Sequence, residues 1–129
     1  MAYLYPMKDL NSTEDLHALL SAFYSKAIPD PVIGHFFTTV VQLDLDTHLP
    51  KLVGFWEQIL FGKGDYQGNP MVIHLHLNSL SKMEPAHFER WLLLFRSAVD
   101  ELFTGPIAAN IKVRASGIAG IMQARVAMA

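Results

Sequence analysis

The chain has 129 residues, the length of one domain able to bury a core without staples. It contains no cysteine, which excludes disulfides, thiolate chemistry and cysteine-built zinc or iron–sulfur sites. Its formal net charge is -2 and no basic stripe appears, so nucleic acid is not an expected partner. Apolar residues reach 51%, so in a chain this small some of them line an interface or wrap an apolar ligand. The segment 1–9 has no basic region followed by an apolar stretch, so it is not read as a signal peptide. The densest apolar run, Trp91 to Phe95, is far shorter than the roughly 18 residues of a membrane span. The expectation is a soluble cytoplasmic protein that does not engage a membrane.

Periodicity is helical nearly throughout, and no stretch alternates cleanly with period two. Ser12 or Thr13, with Asp15 nearby, marks a helix start. Leu16, Leu19, Leu20, Phe23, Tyr24 and Ala27 follow at three-and-four spacing and make one apolar face. Pro29 and Pro31 end that helix, and a short turn spans Val32 to Phe37. A second helix is expected from about Asp46 to Phe61, with His48, Leu52, Phe55, Trp56 and Ile59 on a shared face and Pro50 in its first turn. Gly62, Gly64 and Gly68 then break the pattern before Pro70, and a short helix or turn carries His74.

Pro85 opens a third long helix reaching about Phe103, with Trp91, Leu94, Phe95, Val99 and Leu102 as its stripe. Gly105-Pro106 ends it. The last helix covers roughly Ile107 to Val126, with Ile111, Ala115, Ile118, Ile121 and Met122 inward. The fold class is all-α: four main helices and a poorly structured connection, which lets a flat group sit between helices instead of a close-packed core.

His48 and His74 stand on different helical stretches, and Tyr24 and Trp91 lie on two further apolar faces. An imidazole facing an apolar cavity with a few hydrogen-bond donors is the chemistry a haem pocket needs. Spacing alone leaves His74 and His76 both open as ligands. Two residues apart on a helix, they point in different directions, so only one of them can reach a given metal. His17, His35 and His87 read as surface residues, and the methionines as packing filler.

Five pieces occur in order: Phe23-Tyr24 followed by Asp30 and Ile33-Gly34-His35-Phe36-Phe37; His48; Gly54-Phe55-Trp56; Gly62 to Pro70 leading to His74; and His87-Phe88 with Trp91 and Phe95. In this order and spacing, from about Leu19 to Met122, the chain resembles the truncated haemoglobins of the third group. The glycine-pair motifs of the other truncated groups are missing. The resemblance implies one truncated-globin domain over residues 1–129, with 1–11 a short N-terminal extension. It implies a two-over-two helical sandwich around b-type haem. It implies His74 as the axial iron ligand, favoured over His76 by its lead-in, and Tyr66 in that lead-in among the cofactor-binding residues. Tyr24, His48 and Trp91 would surround the bound gas. Phe37, Leu52, Phe55 and Trp56 would pack against the porphyrin or the ligand cavity, and Lys51 would reach a propionate. For His48 three roles stay open: touching the ligand, gating the pocket by swinging out, or ligating the iron itself.

The function implied is tight binding of dioxygen, and also of nitric oxide or carbon monoxide. Two donors at about 1–1.5 kcal/mol each correspond to roughly a hundredfold in affinity. An alternative is a haem enzyme for nitric-oxide dioxygenation or peroxide reduction. Its reductase would be a separate protein, because the chain has no flavin or nicotinamide motif. A third reading is a cofactor-free helical interaction module.

Overall fold

The computed structural model describes residues 7–63 and 70–128, apart from the side chains of 70–73. The protein is all-helical. Helix α1 spans Thr13–Ala27, α2 Leu45–Phe61, α3 Pro70–Leu80, α4 Pro85–Leu102 and α5 Pro106–Ala127. A single π turn, Phe36–Val40, lies between α1 and α2. Helix α1 packs on α2 and α4, and α4 packs on α5, so α1 and α4 join the pair α1/α2 to the pair α4/α5. Helix α3 rests on α5 and the π turn. No helix among the described residues is long and apolar enough to cross a membrane.

Local chemistry sets the boundaries. The Ser12 hydroxyl accepts from the Asp15 N–H at 3.1 Å, so Ser12 rather than Thr13 caps α1. Glu14 and Asp15 in its first turn and Lys26 in its last complement the helix dipole. Asp44 caps α2 and accepts from the Asp46 N–H at 3.2 Å. Because the cap sits at Asp44, α2 begins at Leu45, and Pro50 is its sixth residue, in the second turn rather than the first. There it removes the N–H that would have returned to the Asp46 carbonyl. Pro85 and Pro106 each open a helix, where a missing N–H costs nothing.

The N-terminal segment is tied into the far end of the chain. Asp9 accepts from the backbone N–H groups of Ile107 and Ala108 at 3.0 and 2.9 Å, and so caps α5 from a distance. The Thr104 N–H donates to the Lys8 carbonyl, and Leu10 is fully buried. Gly105 has φ 142, and a Cβ there would stand 2.5 Å from the Asp9 carboxyl carbon. Glycine is therefore required at that corner on both counts. Gly34 is required by close approach: a Cβ would lie 2.4 Å from the Ile28 carbonyl oxygen.

The expected face of α1 is buried at all six positions. Two other stripes differ. Leu102 is 37% exposed because α4 ends there and extended Phe103 turns inward in its place. Ile121 is 61% exposed. At about 100° per residue it lies well off the line of Ile111, Ala115 and Met122, and Ala119 takes the inward position. Helix α2 carries two stripes rather than one. Leu49, Val53 and Trp56 enter the core, while His48, Leu52 and Phe55 are half-buried beside it.

Replacing Asp9 with Ala leaves two N–H groups at the start of α5 without their acceptor. The expected loss is about 1–2 kcal/mol by urea unfolding, and unchanged stability would contradict the capping role.

Candidate functional site

A cavity of about 650 Å³ opens between α2, α3 and the inner faces of α1, α4 and α5. Tyr24 of α1, Phe37 of the π turn, His48, Lys51, Leu52, Phe55 and Trp56 of α2, His74 of α3 and Trp91 of α4 all line it. Nine of the ten residues singled out in the sequence are thus brought to one space. The tenth, Tyr66, lies outside the described residues.

The second stripe of α2 explains why His48, Lys51, Leu52 and Phe55 reach this space together. They follow helical spacing one step round from the core stripe. On α4, Phe88, Trp91 and Phe95 do the same at three and four. One wall is a stack of rings. Trp56 stacks on Phe95 at 5.5 Å, and Phe95 on Trp91 at 5.2 Å with only 14° between planes. Phe23 meets Trp91 edge-on at 5.8 Å and Tyr24 at 5.0 Å. These contacts fix the rotamers of the two side chains that carry donors.

Tyr24 is buried, and its hydroxyl lies 3.0 Å from His48 Nε2. Burial pushes the phenol well above its ordinary pKa, so it stays protonated. His48 moves the other way. Burial lowers its pKa first, and the charges of Lys51 and His74 lower it further. A neutral imidazole can accept the phenol proton at Nε2 or donate from that nitrogen, depending on its tautomer. In the second case the phenol hydrogen is free for a third group. The pair can therefore reverse its hydrogen bond without moving a heavy atom.

Sequence reasoning placed His87 on the surface, and the structure corrects this. His87 is half-buried and lines the cavity. Its Nδ1 accepts from the Glu84 N–H at 2.8 Å, which braces the start of α4. Its ring meets Phe36 at 5.0 Å and His35 at 5.7 Å. Burial and then His35 lower its pKa, against the opposing charge of Glu84. The reading missed it because a helix start usually faces water. His35 is half-buried against Phe36 at 4.2 Å, whereas His17 is exposed as expected. His76, Ile118 and Met122 also line the cavity. Ile118 and Met122 were legible as inward residues of α5, but their pattern did not separate cavity from core.

The lining fits a flat, largely apolar macrocycle. Its walls are aromatic and aliphatic, and imidazoles enter from α2 and α3, the two helices that flank the gap. The comparisons agree. The profile of the bacterial-like globins matches residues 8–119. The group 3 truncated haemoglobin of Campylobacter jejuni is 30% identical over 113 residues, covering 85% of this chain and 87% of that protein. The crystal structure of the group III truncated haemoglobin from the same organism superimposes with a TM-score of 0.80, covering 93% of this chain and 95% of that one.

The chain is a bacterial-like globin, a truncated haemoglobin of group III. Membership supports haem-based binding of small gaseous ligands. In this globin the rings that line the cavity come from α1, the π turn, α2 and α4, and the His74 imidazole comes from α3.

The lowered pKa values of His48 and His87 have a consequence for pH. Each imidazole takes up a proton less readily folded than unfolded, where the ordinary value is 6.5. Stability is therefore complete above that value and declines as the pH falls below it. The globin should unfold at a lower urea concentration at about pH 5.5 than at about pH 7.5, and His48→Gln should narrow the gap. An equal gap in the variant would contradict the assignment to His48.

Proposed function

We propose that the globin holds b-type haem through His74 and binds dioxygen tightly on the opposite side of the ring, where Tyr24, His48 and Trp91 surround the ligand. Nitric oxide and carbon monoxide are ligands of the same position. Haem, when bound, would supply an iron that can take a diatomic ligand and undergo one-electron chemistry. The chain supplies everything else. Phe37, Leu52, Phe55 and Trp56 pack against the ring and keep water out. Lys51 is exposed at the edge of the cavity and is suited to a haem carboxylate. The observation that carries the proposal is the buried Tyr24 hydroxyl beside His48 Nε2, within the same cavity as the Trp91 indole.

Two donors aimed at a ligand that carries partial negative charge slow its departure. At about 1–1.5 kcal/mol each they hold it roughly a hundredfold longer than apolar walls would. Such retention suits storage, sensing or redox conversion better than delivery.

A second reading, conversion of nitric oxide or peroxide with electrons from a separate reductase, is favoured by the same Tyr24–His48 contact. The phenol and His48 Nε2, 3.0 Å apart, keep an O–H or N–H donor facing the cavity whichever way their shared hydrogen bond runs, which is what a proton-coupled step asks of its surroundings.

Tyr24→Phe should speed dioxygen release by about tenfold in stopped-flow displacement, the worth of one hydrogen bond. An unchanged rate would show that the phenol does not face the ligand. Mixing the dioxygen-loaded globin with nitric oxide and a flavin reductase decides the second reading. Sustained nitrate formation supports turnover, and a single stoichiometric conversion supports storage or sensing.

A further inference from the structure

Asp30 is the only buried charged residue among the described residues. It sits between Pro29 and Pro31, at the corner where the chain leaves α1 for the π turn. Its Oδ2 accepts from the backbone N–H groups of Val32 and Ile33 at 2.9 and 3.1 Å. Its Oδ1 accepts two N–H groups of Arg90, Nε at 2.8 Å and Nη2 at 2.7 Å. The Asp30 side chain is 2% exposed and that of Arg90 35%. The Arg90 bonds hold the Asp30 carboxyl below its ordinary pKa, so the pair is ionised.

Stability alone does not explain such a pair. Burying a carboxylate is costly, and apolar replacements of buried ion pairs are often neutral or stabilising. Location does explain it. Arg90 immediately precedes Trp91 on α4, and Asp30 lies six residues beyond Tyr24, just past the end of α1. The pair therefore joins the two backbones that carry the donors of the cavity. Residues 90 and 91 point about 100° apart, so the guanidinium stays outside the cavity while it fixes the rotation of α4. A rotation of about 10° shifts a side-chain atom about 6 Å from the axis by about 1 Å. That is enough to break a hydrogen bond at the indole. Phe23, wedged edge-on between Tyr24 and Trp91, transmits any such shift directly.

We propose that the Asp30–Arg90 pair is a positioning device for the ligand side of the cavity: it locks α4 against the α1 corner and thereby sets how the Trp91 indole stands relative to the Tyr24 hydroxyl. The effect on ligand release rests on the haem reading above, whereas the effect on Trp91 itself does not. Arg90 and Asp30 are positioning residues that touch neither ring nor ligand.

Arg90→Met is the informative variant, because Asp30 keeps its two backbone donors. Arg90→Lys, which keeps the charge, covers the case in which Arg90→Met folds poorly. With the Soret band intact, dioxygen release from Arg90→Met should be about three- to tenfold faster, and Arg90→Lys should fall between it and the parent. In a Trp91→Phe background the same change should add nothing to the release rate. A release rate equal to the parent's, with only thermal stability lowered, would overturn the proposal. So would an undiminished acceleration in the Trp91→Phe background. If the protein takes up no haem, the haem reading fails, and positioning is then read from Trp91 emission in a Trp56→Phe background. A red shift and lower anisotropy on Arg90→Met support the device, and an unchanged spectrum overturns it.

Discussion

The structure depends on keeping a large apolar-walled space open between α2 and α3. Its volume is about 650 Å³, and it opens to solvent, so water meets its mostly apolar walls unless a bound group covers them. The Trp56–Phe95–Trp91 stack is one of those walls, and it also joins the cavity to the close-packed core behind it.

Between those apolar walls the polar groups are few, and Tyr24 and His87 are each tied to a partner. The Tyr24–His48 contact is held in low dielectric, where the phenol is kept protonated and the imidazole is kept neutral. Neither would be so restricted in water. Lys51 and His74 contribute to the electrostatics of His48 as well as to the lining. His87 shows the same economy at another edge. One ring nitrogen braces the start of α4 while its ring packs on Phe36, so the histidine is at once a helix cap and part of the wall.

Much of this was legible in the sequence, where the determinants are local. The six-residue face of α1, the prolines that open α4 and α5, and the left-handed Gly62 that ends α2 all follow from spacing and backbone chemistry. Nine expected site residues share one cavity: periodicity put His48, Leu52, Phe55 and Trp56 on one face of α2, and the family resemblance supplied Phe37, Lys51 and the choice of His74. What could not be read is long-range. Asp9 caps a helix 98 residues away, and Asp30 meets Arg90 across 60 residues. No local pattern announces either pair. Periodicity also does not separate a core stripe from a cavity stripe, which is why α2 appeared to have a single face. The inward assignments of Leu102 and Ile121 failed for geometric reasons, one at a helix end and one off the stripe. His87 was misplaced because composition at a helix start says nothing about what packs over it.

The central claim is that this cavity holds a porphyrin whose iron is bound by His74. Resonance Raman spectroscopy of the ferrous protein, unlabelled and with 15N-labelled histidine, tests it most directly when paired with His74→Gly. The account predicts an iron–imidazole stretching band that shifts with the label, disappears in His74→Gly and returns when free imidazole is added. A band that survives His74→Gly unchanged, or a preparation that takes up no haem, would contradict it.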